Sequence, residues 1–334
     1  MQPMSIKEVA RRAKVSTATV SRTLNNSPDV RPHTAEKVRQ AIAELNYYPN
    51  THARTLVSGR SRIFGLIISD ITNPFFPDLV RGFEDAAVHR GQEVIIGNTD
   101  YNPRRMAHCI RRMLERKVDG VAIMTSETDP ALLEELVRRK VPTALLDTGK
   151  AGEASAVIHI DYAHGIQQAV KHLMALNHRR IAFIAGPPEL PSARTRREAF
   201  VAGIESHGTK MDPALLVESD HKIEGGAAAM TRLLKLSHRP TAVMASNDLS
   251  AIGALGAIYE AGLRVPDDIS LVGFDDISFA HLTQPPLTTV RVSRSQLAET
   301  AFHALEGLLH GHGESRRDYS ITTQLVVRSS TRAV

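Results

Sequence analysis

From residue 63 onward, short apolar runs alternate with amphipathic helical patterns, and this alternation limits the folds open to most of the chain. The first apolar runs, IFGLII (63–68) and EVIIGN (93–98), are followed by helical patterns over residues 76–90 and 104–116. Short apolar strands separated by helices predict parallel sheets that are covered by helices on both faces. The strands outnumber what one sheet comfortably holds, so we expect two doubly wound α/β lobes.

The alternation continues to the end of the chain in two further series. Later predicted strands lie at 120–124, 142–147, 157–161, 181–186, 241–246 and 269–276, and predicted helices at 130–139, 163–176, 194–207 and 249–261. The tail adds a strand at 287–293, a helix at 294–310 and a final strand at 322–327. Because these tail segments follow both lobes, we expect them to cross between the lobes and leave a cleft. Ligands of such sheets bind beyond the carboxyl ends of the strands.

The first 26 residues follow a different pattern, which predicts two short helices joined by a tight turn. Val9 and Ala13 form an apolar stripe at four-residue spacing on the first helix. Ser16 is a good N-cap for the second helix, because its hydroxyl accepts a backbone N–H of the first turn. Val20 then packs inward, and Arg22 faces outward. This is the layout of a DNA-binding helix-turn-helix; the alternative is any small helical hairpin with a basic surface.

The charge of the chain supports the DNA-binding interpretation. The formal net charge is +5, yet residues 1–60 hold ten Lys and Arg against four Asp and Glu, so this segment carries +6 and the remainder −1. Positive charge confined to the N-terminal segment is expected when only that segment meets phosphates.

Eight motifs, in this order and spacing, give the chain a resemblance to the LacI/GalR family of bacterial transcription regulators over essentially its whole length. They are VSTATVSRTLN (15–25), NTHARTLVSGRSRIFGLI (50–67), ITNPFF (71–76), NHRRIAFIAG (177–186), SARTRREAF (192–200), ASNDLSAIGAL (245–255), VPDDISLVGFDD (265–276) and PPLTTVRV (285–292). The resemblance implies a helix-turn-helix head, a hinge helix, and a two-lobed body like that of periplasmic sugar-binding proteins. The corresponding ranges are 1–49 for the head, 50–61 for the hinge, 62–161 with 291–320 for lobe 1, and 162–290 with 321–331 for lobe 2.

By this resemblance, Thr17 and Ala18 at the front of the second helix specify the operator. Their methyl groups suit contact with thymine methyls, and Arg22 suits a bidentate contact with guanine O6 and N7. A simple phosphate contact is the alternative for Arg22. The residues expected to position the helix on phosphates are Ser16, Thr19, Ser21 and Asn25.

The connector over residues 50–61 carries a second expected DNA contact. In the family a hinge helix lies in the minor groove and a leucine wedges into a base step; Leu56 matches that position, with Ala53 beside it. Packing of Leu56 against the body is the alternative. The resemblance implies a symmetric homodimer on a pseudo-palindromic operator in double-stranded DNA. A dimer is favoured over a tetramer, because no leucine heptads precede Val334.

The resemblance also implies a set of effector-binding residues in the cleft. They are Ser69, Asn73, Phe75, Phe76, Asp147, Arg194, Asn247 and Asp275. Carboxylates and an amide suit the hydroxyl groups of a sugar, Arg194 supplies a planar donor fork, and an aromatic ring stacks on a sugar face. Arg194 equally suits a sugar acid or sugar phosphate. For Asn247 the alternative is a helix N-cap, and for Asp275 a turn at the end of a strand.

One departure from the family concerns the residue after the LTT strand. The best-known member has an aromatic residue there, and this chain has Arg294. Either Phe75 or Phe76 has taken over stacking, or the ligand is more anionic; the sequence leaves both open. Inducer and corepressor action are equally compatible with these residues.

Other function classes have less support in the sequence. The chain shows no GxGxxG after a strand, no phosphate loop, no GxSxG and no HExxH, so we expect no catalytic residue, cofactor or metal. Its single cysteine, Cys109, suits a reducing cytoplasm and a packing role. No leader and no membrane-length apolar run is visible, so a cytoplasmic location without a membrane partner is expected. A solute-binding protein or a sugar-modifying enzyme with a basic appendage remains the alternative.

Overall fold

The computed structural model describes residues 5–24, 27–48, 60–125, 130–311 and 317–334. The chain divides into two compact units, residues 1–61 and 62–334. The predictions for Asn25, Ala53 and Leu56, and for most of the connector, lie outside the described residues. In the part of the chain that is described, no helix is long and apolar enough to cross a membrane.

The described residues of the first unit form three helices, α1 (Ile6–Ala13), α2 (Thr17–Leu24) and α3 (Pro32–Glu44). The backbone N–H of Ser5 donates to the Glu8 carboxylate at 2.7 Å and so closes the start of α1. Val9, Val20 and Val38, one from each helix, are fully buried and form the centre of the core. The predicted helix-turn-helix is confirmed by this packing.

The second unit contains two six-stranded sheets, one in each lobe. Lobe 1 has the order β11-β5-β4-β3-β1-β2, and all its neighbouring strands are parallel. Its strands are β1 (Ile63–Ile68), β2 (Glu93–Asn98), β3 (Gly120–Met124), β4 (Thr143–Leu146), β5 (Ser155–Asp161) and β11 (Asp318–Thr322). Its helices are α4 (Phe75–His89), α5 (Pro103–Glu115), α6 (Pro130–Arg138) and α11 (Arg294–His310).

Lobe 2 repeats this architecture with one antiparallel strand. Its order is β12-β10-β9-β8-β6-β7, and only β12 runs antiparallel to its neighbour. Its strands are β6 (Ile181–Ala185), β7 (Leu216–Glu218), β8 (Ala242–Ala245), β9 (Ser270–Asp275), β10 (Thr288–Arg291) and β12 (Gln324–Val326). Its helices are α7 (Tyr162–Ala175), α8 (Pro191–Glu205), α9 (Ile223–Leu234) and α10 (Asp248–Glu260). The expected pair of doubly wound lobes is confirmed.

The chain passes between the lobes three times, from β5 to α7, from β10 to α11, and from β11 to β12. These crossings place Arg291 in lobe 2 and Thr322 in lobe 1, one or two residues from the expected boundaries. The predicted single strand over 322–327 is therefore wrong: Thr323 separates two strands that belong to different sheets. The sequence pattern did not indicate a separate strand over residues 318–322, because these residues are mostly polar, as is typical of a strand at the edge of a sheet.

The sequence pattern also missed β7 and α9. Strand β7 has three residues, too few to show an apolar period. Helix α9 begins IEGG, and glycine pairs ordinarily indicate a break. Here the glycine serves close helix packing: a Cβ at Gly226 would lie 2.2 Å from the carbonyl oxygen of Ser250 on α10, and one at Gly253 would lie 1.9 Å from that of Ile223.

Cys109 lies on α5 and is 5% exposed, packed among the buried side chains between that helix and the sheet of lobe 1. The packing role expected from the sequence is therefore confirmed.

Candidate functional site

The exposed face of α2 carries the residues that the sequence singled out for base contacts. Thr17, Ala18 and Arg22 are all exposed. The Ser16 hydroxyl accepts the backbone N–H of Thr19 at 3.1 Å, which confirms Ser16 as the N-cap. Thr19 and Ser21 are half-buried at the border of this face.

A cavity lies between the two lobes of the second unit, at the carboxyl ends of their strands. The space open to the centres of water molecules has a volume of about 70 Å³, which is enough for roughly five waters. From lobe 1 and the crossings it is lined by Ser69, Asn73, Phe75, Phe76, Tyr101, Met124, Thr125, Leu146, Asp147, Ile160, Tyr162 and Val292. From lobe 2 it is lined by Leu190, Ser192, Arg196, His221, Asn247 and Asp275.

The structure brings seven of the eight residues expected in the cleft to this cavity and leaves one outside. Arg194 is exposed, and its Nη1 donates to the carbonyl oxygens of Pro188 and Glu189 at 2.8 and 3.0 Å. The prediction for Arg194 is therefore wrong. Two residues along an α-helix differ by about 200° in direction, so Arg196 takes the inward place.

The arginine of the cavity had a signal in the sequence. Arg196, Phe200 and Ile204 recur at four-residue spacing, and the last two are buried on the inner face of α8. The other residues that were missed, such as Thr125 and Tyr162, come directly after a strand, where a doubly wound sheet presents side chains to its ligand.

Arg196 is held by groups from several elements of lobe 2. Its Nη1 donates to the carbonyl oxygen of Ser246 at 2.6 Å, and its guanidinium lies 4.4 Å from the ring centre of Phe274 and 4.8 Å from that of Tyr162. Nη1 lies 3.8 Å from Asp275 Oδ1. Burial opposes the charge of Arg196, but Asp275, and less strongly Tyr162 and Asp147, outweigh burial and raise its pKa.

Two carboxylates face this single guanidinium. Burial raises the pKa of Asp275 to about 6, and the nearby charges of Arg196 and Arg294 limit the rise. Burial also raises the pKa of Asp147, against the hydrogen bonds that its oxygens accept from Tyr162 Oη at 2.6 Å and from the backbone N–H of Ile160 at 2.8 Å. The cavity therefore has an excess of negative charge when both acids are ionised.

His221 and Asn247 form the floor of the cavity in lobe 2. His221 Nε2 lies 2.6 Å from Ser246 Oγ. Burial, together with the charge of Arg196, lowers the pKa of His221 to about 3, so the ring is neutral near pH 7. Asn247 donates through Nδ2 to the carbonyl oxygen of His221 at 2.9 Å and accepts the backbone N–H of Ser250 at 3.0 Å. Asn247 therefore caps α10 and lines the cavity at the same time.

Apart from Asp147, the described residues on the lobe 1 side of the cavity are neutral, and two of them are phenylalanines. The rings of Phe75 and Phe76 meet edge to face with centres 5.3 Å apart, and both lie at the start of α4. Asn73 Oδ1 accepts the backbone N–H of Phe75 at 3.0 Å. Ser69 Oγ donates to Thr125 Oγ1 at 2.8 Å.

Arg294, the departure noted in the sequence, is not among the residues that line the cavity. Its Nη1 donates to the carbonyl oxygens of Asp275 and Asp276 at 2.9 and 2.8 Å, and its Nε lies 3.2 Å from Asp78 Oδ2. This guanidinium therefore gives no support to an anionic ligand.

Comparisons with known proteins agree with both units. Residues 5–50 match bacterial regulatory proteins of the lacI family, and residues 170–331 match a periplasmic binding protein-like domain. The chain is 34% identical to the transcriptional repressor CytR of Escherichia coli (strain K12), over 99% of this chain and 97% of that protein. It is 36% identical to the ribose operon repressor of the same organism, over 90% of this chain and 92% of that protein.

Among solved structures, a crystal structure of the lac repressor dimer bound to operator and the anti-inducer ONPF is similar. It matches with a TM-score of 0.88 and 30% identity, over 99% of this chain and 100% of that chain. Sequence and fold thus agree along the whole length, and the helix-turn-helix and the two-lobed body occur in the same order. The chain belongs to the lacI family of bacterial regulatory proteins.

Proposed function

We propose that this protein is a transcriptional repressor that binds a pseudo-palindromic operator as a homodimer, and whose operator affinity is set by a neutral, hydroxyl-rich effector in the cavity between the lobes. The observation that carries the proposal is the cavity itself, where carboxylates, an amide and an aromatic pair converge; the same chain also carries a helix-turn-helix with an exposed face. Thr17, Ala18 and Arg22 read base edges, and Ser16, Thr19, Ser21 and Asn25 position α2. Leu56, with Ala53 beside it, wedges into the minor groove.

The charge of the cavity favours a neutral effector over a sugar acid or sugar phosphate. Asp147 and Asp275 outnumber Arg196, whose charge is already set against Asp275 at 3.8 Å, and His221 is neutral. An added anion would meet a net negative site in a region of low effective dielectric. Hydroxyl groups, in contrast, donate to carboxylates and accept from guanidinium and amide N–H groups.

The size and the aromatic pair favour one sugar ring. A cavity of about 70 Å³ for water centres suits a monosaccharide, and the C–H face of a pentose suits contact with Phe75 and Phe76. The similarity to the ribose operon repressor supports a pentose. Binding alone suffices for this role, so we assign no catalytic step, and the role implies a cytoplasmic location with the DNA.

The experiment that tests the proposal is selection of genomic DNA fragments by the purified full-length protein at near-physiological salt, followed by footprinting. We expect a two-fold symmetric protected site, and an affinity that changes with D-ribose but not with ribose 5-phosphate. Scrambled half-sites of the same length serve as the control. Equal binding to the scrambled DNA would refute the specific reader, and a response to the phosphate ester alone would refute the neutral effector.

A further inference from the structure

The turn that ends β9 has a backbone conformation that needs support. Asp275 has a φ of 111° and Asp276 a φ of 56°. Non-glycine residues seldom adopt positive φ, and those that do persist where their surroundings hold them. The first of these residues aims its carboxylate into the cavity, so whatever holds the turn also fixes a ligand-facing group.

Arg294 is one of the groups that hold this turn through its backbone: the N–H of Val292 also reaches the carbonyl oxygen of Asp275 at 3.5 Å, and Asp248 Oδ2 accepts the N–H of Ile277 at 2.8 Å. One guanidinium nitrogen, Nη1, donates to both carbonyl oxygens of the turn at 2.9 and 2.8 Å. The side chain of Arg294 is 18% exposed. The carboxylate of Asp276 is bound separately, by Arg291 at 2.6 Å and Arg328 at 2.5 Å. Of these three arginines, Arg294 is the one whose side chain reaches the carbonyl oxygen of Asp275.

The same guanidinium also pairs with the lobe 1 helix that carries Phe75. Arg294 begins α11 in lobe 1, and its Nε lies 3.2 Å from Asp78 on α4. Three residues earlier on α4 lies Phe75, the first of the aromatic pair. Arg294 therefore connects the lobe 2 turn that presents Asp275 with the lobe 1 helix that presents the aromatic rings.

We infer that Arg294 is a positioning residue for effector binding: it touches no effector, and it fixes the Asp275 carboxylate relative to Phe75 and Phe76 across the two lobes. This inference rests on the proposed effector function. It also gives a physical reason for the arginine that stands where the best-known family member has an aromatic residue: its side chain bonds to both lobes and not to an anionic ligand.

The first test measures D-ribose binding to the full-length protein by isothermal titration calorimetry. Arg294→Met is expected to weaken binding about ten-fold, the order expected for lost charge-assisted hydrogen bonds. Arg294→Lys keeps the charge without the planar fork, so its binding of D-ribose should remain several-fold weaker than that of the wild type.

Asp78→Asn should cause a smaller loss of D-ribose affinity, and none in the Arg294→Met background, because Asp78 acts through Arg294. Arg264→Met, which removes an exposed arginine that pairs with Asp267 and Asp268, is the matched control.

The second test is hydrogen–deuterium exchange of the ligand-free protein, which does not depend on the effector. Arg294→Met should raise exchange at Ile277 and in the first turn of α4, and leave α8 unchanged. If the wild type binds no pentose, the effector class fails while this exchange still tests Arg294. Wild-type exchange in Arg294→Met overturns the inference. Weaker ribose binding with unchanged exchange also overturns it, because Arg294 would then act on the ligand itself. Full recovery in Arg294→Lys would show that charge alone suffices and would refute the two-carbonyl geometry.

Discussion

At the scale of single residues, the cavity depends on buried charges whose protonation differs from that in water. Asp275 has a pKa of about 6, and it faces Arg196, Arg294 and the buried carboxyl of Asp248, whose pKa burial raises well above its usual value. His221, with a pKa of about 3, stays neutral from pH 5 to pH 8. The cavity therefore titrates through its acids.

We predict that affinity for a neutral sugar falls between pH 7.5 and pH 5, because protonated Asp275 loses acceptor capacity and its attraction to Arg196. The free energy of unfolding depends on pH in the opposite direction, because the pKa of Asp275 is raised in the folded protein. The stabilising contribution of Asp275 is present in full below about pH 4 and is lost as the pH rises through 6. Calorimetric titration with D-ribose at several pH values checks the first effect. Asp275→Asn should remove the step near pH 6; an unchanged step would assign it to another group.

The two arginines on α8 make a second residue-scale prediction. Arg196→Met leaves Asp275 buried without its cation, and breaking a buried pair costs about 3–5 kcal/mol. Arg194→Met removes an exposed arginine, and we expect a loss within about 1 kcal/mol. Urea unfolding of both variants measures the difference in the free energy of unfolding. Equal losses would contradict the inward assignment of Arg196.

The same pair shows what the sequence predicts at this scale. The strand-and-helix alternation is enough to place Ser69 and Asp147 at the carboxyl edge of one sheet and Asp275 at the carboxyl edge of the other, because the carboxyl ends of parallel strands meet. A residue on a helix needs the phase of that helix as well. The resemblance implies an arginine of the SARTRREAF motif in the cleft, but only the phase given by the buried Phe200 and Ile204 decides between Arg194 and Arg196.

At the scale of elements, the packing of α9 against α10 depends on glycines. A Cβ at Gly253 would lie 1.9 Å from the carbonyl oxygen of Ile223, whereas one at Gly256 would have nothing within 4 Å. We predict that Gly253→Ala destabilises the protein by about 1–3 kcal/mol through overpacking. Gly256→Ala, on the same helix, should be neutral or stabilising by up to about 1 kcal/mol.

Thermal and urea unfolding of the two glycine variants, measured side by side, check this prediction. A stable Gly253→Ala protein would mean that α9 and α10 separate more easily than their contact indicates. The same contact explains why a sequence pattern misses α9. Helix propensity describes an isolated segment, in which a Gly-Gly pair disfavours a helix, whereas close packing against α10 requires small residues and stabilises the helix.

At the scale of the whole molecule, we assign DNA binding to the first compact unit and effector binding to the second. We predict that residues 62–334 alone retain D-ribose affinity within about two-fold of the full chain and lose sequence-specific operator binding, because the exposed face of α2 is absent. Full-length Arg22→Ala is the matched variant: if Arg22 reads guanine, operator affinity falls by about 1–3 kcal/mol and discrimination at one position relaxes. Fluorescence anisotropy with operator and mutated half-sites measures both.

A phosphate contact by Arg22 would give a different result. Binding would then weaken equally on all sequences, and the salt slope would fall by about one unit. Operator binding by residues 62–334 would contradict the assignment of DNA reading to the N-terminal unit. The motifs of the whole chain predicted this division, whereas the linker between the units is too polar for its sequence pattern alone to define a structure.

The three passages of the chain between the lobes have a mechanical consequence. The three passages lie side by side, because Arg291 pairs with Gln324 and Thr323 Oγ1 donates to the carbonyl oxygen of Asp161 at 2.6 Å. One connection would let two bodies rotate in any direction, whereas three adjacent connections favour rotation about a single axis. The effector then acts on one motion, the opening and closing of the two lobes. Ligands of different shape would change the fraction of the protein in the closed conformation and not the closed conformation itself. A weakly binding and a tightly binding sugar would therefore populate the same two conformations in different proportions.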